Sequence, residues 1–169
     1  MTLLKPFLLT LAATVSLAAS AQPTPSPVET RFVNPGRFTD FRLERTRGAR
    51  DAAFLADELR AWMEREAPRH LPAGSKLVVT FTDVDMAGEF ESFVSPGVAD
   101  VRVVRDIYPA RVSLAFSLSD ESGKVVKEGE RKLVSAFLYG AGVRGGDGAL
   151  RHEKTLLQEW LVREFAARR

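Results

Sequence analysis

The chain has 169 residues, 45% hydrophobic and 27% charged, with 24 Lys and Arg against 22 Asp and Glu and a formal net charge of +2. That composition suits one ordinary globular domain and withholds the concentrated basic surface that gives a general attraction to nucleic acid or anionic membrane. Cysteine is absent, which excludes disulfides, thiol catalysis, thiolate metal sites and an acylated cysteine as a membrane tether.

Residues 1–21 read as an export signal. Lys5 supplies the positive n-region, and Phe7 to Ala18 form an apolar run interrupted only by Thr10, Thr14 and Ser16. The run falls short of the ~20 apolar residues that cross a bilayer. Ala19-Ser20-Ala21 is an A-x-A site, so cleavage is expected after Ala21, and no second apolar stretch offers an anchor. The expected compartment is the periplasm. Gln22 to Pro27 carries three prolines and reads as an extended spacer, leaving 28–169 as one domain.

Val28 to Val33 alternates as a first strand, stopped by Asn34-Pro35-Gly36. Ala49 to Ala67 is predicted helical, because Ala52, Leu55, Leu59, Trp62 and Met63 recur at helical spacing opposite Asp57, Arg60 and Glu64. Leu77 to Val84 is apolar or Thr on both faces and predicts a central strand. Val101 to Tyr108 is a further β-rich run. Val112, Leu114, Phe116 and Leu118 alternate with Ser113, Ala115, Ser117 and Ser119, the pattern of a half-exposed strand. Asp120 to Gly123 turns into Lys124 to Leu133, whose charges suit an edge strand. After a Gly-rich loop, Gly140 to Gly148, a last helix runs from His152 to Ala167 with the stripe Leu156, Leu157, Trp160, Leu161 and Phe165. The expected fold class is α+β: a two-layer sandwich with a mainly antiparallel sheet of four to five strands under two amphipathic helices. Phe81, Leu114, Phe116, Leu59, Trp62, Trp160 and Leu161 are the predicted core.

Two charged segments are the candidate binding surface. Asp83, Asp85, Glu89 and Glu91 crowd one; a continued strand puts Asp83 and Asp85 on the same face, close enough to share a cation, or leaves them capping a turn. The ligand spacing of a calcium loop is missing, so neither a metal nor a cofactor is expected. In the other segment, strand alternation puts Arg102, Asp106 and Tyr108 on one face and Arg105 on the other, with Arg111 beyond. Arg102 or Arg105 is expected to pair with Asp83, Asp85 or Glu89, either as a structural network or as a pocket whose guanidinium forks recognise an anion or a sugar.

Other motifs carry less. Gly140-Ala141-Gly142-Val143-Arg144-Gly145 spells G-x-G-x-x-G, but no βαβ series follows it, so a loop is expected. His70 and His152 lack partners at ligand spacing, no G-x-S-x-G is present, and Ser122 with Lys124 falls in a tight turn.

Taken together, Phe32-Val33-Asn34-Pro35 with Phe38-Thr39-Asp40, Thr82-Asp83-Val84-Asp85 with Ala87-Gly88-Glu89-Phe90-Glu91, Val101-Arg102 with Arg105-Asp106, Tyr108-Pro109 and Arg111, Glu128-Gly129-Glu130-Arg131, and Glu153-Lys154 with Leu156-Leu157 and Trp160 resemble a bacterial exported family, domain of unknown function 3016. The resemblance implies a signal peptide followed by one domain, and brings no activity, cofactor or catalytic residue. With no catalytic residue set in view, the leading expectation is a non-enzymatic binding or envelope-associated module. Its partner would be an envelope protein, a glycan or a small anionic ligand. The alternative is an envelope-polymer hydrolase in which two of the acids, with separated pKa values, act as a carboxylate pair.

Overall fold

The computed structural model describes residues 26–45, 48–91, 102–135 and 148–165. The predicted export signal, most of the Pro-rich spacer and the Gly140 to Gly145 motif lie outside the described residues. The protein is mixed α+β: β1 (Val28–Phe32), α1 (Gly48–Glu66), β2 (Lys76–Asp85), β3 (Arg111–Ser119), β4 (Val125–Val134) and α2 (Arg151–Phe165). The four strands lie in the order β1-β2-β3-β4, with β1 parallel to β2 and the remaining pairs antiparallel.

The expected elements fall within one or two residues of the observed ones because their patterns are strong. In β3, Val112, Leu114, Phe116 and Leu118 are buried while the intervening serines and Ala115 are half-buried. These side chains share one apolar cluster with Leu77, Val79, Phe81 and Val84 of β2, Leu55, Leu59 and Met63 of α1, and Leu156, Leu157, Trp160, Leu161 and Phe165 of α2. All of the predicted core joins it, Trp62 as a partly buried neighbour. Phe116, Trp160 and Phe165 form a mutual edge-on trio with centroids 5.5–5.6 Å apart. On the same side of the sheet, Glu164 of α2 accepts two hydrogen bonds of 2.9 Å from the Arg131 guanidinium of β4. That bidentate pair is geometrically specific and ties the edge strand to the helix.

Residues 101–108 correct the sequence reading. No strand forms among the described residues there; Val103 alone pairs, in a single antiparallel bridge with Glu89. The chain then turns, with the Tyr108 N–H donating to the Arg105 carbonyl (2.9 Å), and Pro109 supplies no N–H with which to resume a ladder. The alternation expected to align Arg102, Asp106 and Tyr108 therefore does not operate, and β2 and β3 pair across the long connection 86–110.

A bulge between Phe81 and Asp83 repositions the end of β2. The extra residue, Thr82, resets the alternation, so that Val84 joins the core while Asp83 and Asp85 stand opposite Ser113 and Arg111. Beyond the end of β1, Asp40 runs beside this segment: its N–H donates to the Val84 carbonyl (3.2 Å), and its carbonyl accepts from Met86 (2.9 Å). Asp40 is thereby carried to the mouth of the 86–110 connection.

Candidate functional site

The connection begins with a close backbone approach. Gly88 has φ +86° and donates its N–H to the Tyr108 carbonyl (3.0 Å). A Cβ at this position would lie 2.7 Å from the Val103 carbonyl oxygen. Gly88→Ala is therefore expected to destabilise by about 1–3 kcal/mol, from the positive φ and the clash together. Chemical denaturation checks this, and a stability equal to wild type would mean that the two strands of the connection are not so closely apposed.

Arg102 sits over this turn. Its Nη1 donates to the Asp40 carboxylate (2.7 Å) and the Gly88 carbonyl (3.0 Å), and its Nη2 to the Arg42 carbonyl (2.9 Å). Its guanidinium stacks 4.4 Å from the Phe90 ring centroid. The Asp40 side chain is 8% exposed and that of Arg102 13%, so this ion pair is largely withdrawn from water. Arg42 reaches the other carboxylate oxygen of Asp40 (3.0 Å), so one acid faces two guanidinium groups.

From the opposite side comes the first turn of α2. Leu150, just before it, adopts φ +64° with its side chain buried. A left-handed conformation is unusual for a branched side chain, and burial in the core holds it there. Behind it, His152, Glu153 and Lys154 are all buried. Lys154 donates to Glu58 of α1 (2.6 Å). Glu153, 1% exposed, accepts a 2.8 Å hydrogen bond from the Ala87 N–H and so links α2 to the connection.

Burial pushes the Glu153 carboxyl above its ordinary value of 4.5, against the pull of the Ala87 N–H, Arg102 and Lys154. Burial likewise lowers the His152 imidazole below 6.5, with Arg151 adding to the effect. The raised Glu153 value means that the folded state holds its proton more tightly than the unfolded chain. Its contribution is thus fully present below about pH 4.5 and is lost as the pH rises through the folded value. Glu153→Gln keeps an oxygen for Ala87 and removes the ionisation. The variant is expected to show a flatter fall in stability above pH 4.5, measured by denaturation at a series of pH values.

Between these walls lies a cleft of about 290 Å³, lined by Leu43, Met86, Arg102, Val104, His152 and Glu153 among others. Leu43 is positioned by Asp51 in the first turn of α1, whose carboxylate accepts the Leu43 and Glu44 N–H groups (2.9 and 3.0 Å).

The acids singled out from the sequence are distributed differently. Asp83 accepts the Thr39 N–H (2.7 Å) and hydroxyl (2.8 Å), a turn-holding role. Asp85 pairs with Arg111 (2.8 Å), and burial raises its carboxyl above the ordinary value against that partner's pull. Glu89 caps the Phe90 N–H, while Glu91 pairs with Arg105 (3.0 Å). Asp106 lies exposed in the turn, and Tyr108 takes part through its backbone. The two charged segments do meet, through the Glu89–Val103 bridge, but with other partners than expected. Arg102 finds Asp40, Arg105 finds Glu91, and neither reaches Asp83, Asp85 or Glu89, because the turn at 105–108 replaces the strand that was to align them. Among the described residues, no group of three or more His, Asp or Glu side chains could hold a metal ion.

Asp40, His152 and Glu153 are functional candidates that the charge clusters did not bring forward. Glu153 carried a readable sign: it sits three and four residues before Leu156 and Leu157, on the apolar stripe of its helix.

Fold and cleft define a small α+β protein with a polar-ended cleft where α2 meets the segment after β2. Residues 26–163 match the family described as "Protein of unknown function (DUF3016)", and the chain belongs to that family. It matches no curated protein and no solved structure.

Proposed function

We propose that this protein is an exported, periplasmic binding module without catalytic activity, a single two-layer domain that holds a small anionic ligand in the cleft at the start of α2. The observation that carries the reading is Arg102, an anion-recognising side chain held rigidly by Asp40 and two backbone carbonyls on the wall of a cleft with an otherwise largely apolar lining. An envelope protein or glycan is the less supported partner. The hydrolase alternative needs two of Asp83, Asp85, Glu89 and Glu91 on one cleft, and the 290 Å³ cleft is lined by none of them.

The deciding experiment is purification from the periplasm, followed by N-terminal sequencing and mass spectrometry of whatever small molecule is released on unfolding. A mature start at Gln22 and a released organic anion are expected. Retention of Met1 in cytoplasmic protein would overturn export. Release of sugars or peptides from isolated cell-wall polymer, lost in Asp85→Asn, would overturn the binding reading in favour of the hydrolase.

A further inference from the structure

We propose that the ligand of the α2 cleft is a monocarboxylate with a short apolar tail, its carboxylate held at the α2 start by Arg102 and His152 and its tail lying against Leu43, Met86 and Val104. This rests on the binding-module reading and names its ligand class. Two independent observations point to a ligand at this end of α2. The first-turn N–H groups of a helix are partnerless within its ladder and favour negative charge; in α2 the Glu153 N–H turns to its own carboxylate, which leaves those of Arg151 and His152. Separately, His152 is 9% exposed and lines the cleft, and its ring makes no hydrogen bond to the described residues. A polar ring at that burial ordinarily has a partner.

Charge and size narrow the class. Arg102 uses three of its five N–H bonds on Asp40, Gly88 and Arg42, which leaves two without a partner among the described residues. Asp40 is shared between Arg42 and Arg102, so it offsets only one of the two cations. Glu153, pushed toward its neutral form by burial, tolerates a single negative charge nearby better than a dianion. Arg151 also lines the cleft but stands exposed, where water and salt screen its charge; the rest of the wall is apolar, and phosphate would leave it uncovered. At about 290 Å³ the cleft sits at the small end of ligand sites, which run ~300–1,000 Å³.

The test titrates the whole protein with hexanoate and benzoate. Hexan-1-ol serves as the tail without the charge and inorganic phosphate as the charge without the tail. Binding is read by calorimetry and by the His152 ring resonances in NMR. Hexanoate or benzoate is expected to bind and move the His152 signals, with hexanol and phosphate at least tenfold weaker. His152→Gln and Leu43→Glu should each weaken binding at least tenfold. Leu43 is 38% exposed, so its replacement keeps the fold intact even if the His152 variant does not. Phosphate binding with silent carboxylates would overturn the ligand class and leave the binding reading standing. Carboxylate binding undiminished in Leu43→Glu would overturn the site. Silence of all four probes would overturn the inference, while the binding reading would still be judged by the molecule released from periplasmic protein.

Discussion

Phe116→Ala is expected to lower stability by about 3–5 kcal/mol. Phe116 lies on the central run of β3, is buried, and meets both Trp160 and Phe165 edge-on at 5.6 and 5.5 Å. Truncation removes the transfer energy of the ring, leaves a cavity, and strips two aromatic contacts worth about 0.5–1.5 kcal/mol each beyond burial. It also unseats the Arg131 guanidinium, which stacks 5.1 Å from the Phe116 ring while bonded to Glu164. The sheet cannot close the gap, because Gly129 stands opposite Phe116 across the ladder and offers no side chain to fill it. Urea denaturation followed by tryptophan fluorescence measures the loss. A change within about 0.5 kcal/mol would place Phe116 at the surface and invalidate the register of β3.

The sequence made the sheet and helices readable because their patterns are internally consistent over many residues. In β3 each apolar residue alternates with a small or polar one, and in α2 five apolar residues fall on one stripe, so period and burial agree. What failed was local. Val101 to Tyr108 is rich in β-branched residues, yet a strand needs a neighbour along its length. Among its described residues only Val103 finds one, at Glu89, because the chain turns at 105–108 and Gly88 pairs with Tyr108 beyond that turn. The charged segments were legible as partners of some kind, but the choice of partner depended on Asp40. Asp40 lies 62 residues from Arg102 and reaches it only because the segment after β1 runs beside the bulged end of β2. His152 carried no sequence sign, since its meaning comes from a cleft that forms only when α2 packs on the connection.

Arg102→Met is expected to cost about 3 kcal/mol, although a tally of surface charges would rank it with its neighbours. Removal of one member of a buried ion pair costs ~3–5 kcal/mol because the partner is left charged without compensation. Here Arg42 still reaches Asp40, which sets the loss at the lower end of that range. The Gly88 and Arg42 carbonyls lose their donor as well, and Phe90 loses the nearer of its two cations. Arg111→Met is the control. Its side chain is 52% exposed and its pair with Asp85 is screened, so a loss of no more than ~1 kcal/mol is expected. Asp40→Asn completes a double-mutant cycle with Arg102→Met. A substantial coupling in that cycle, and none between Arg102 and Asp85, would establish Asp40 as the partner that holds Arg102 over the cleft. Equal small losses at Arg102 and Arg111 would instead make Arg102 one more solvated surface charge, and the rigid guanidinium on which the proposed anion recognition depends would be gone.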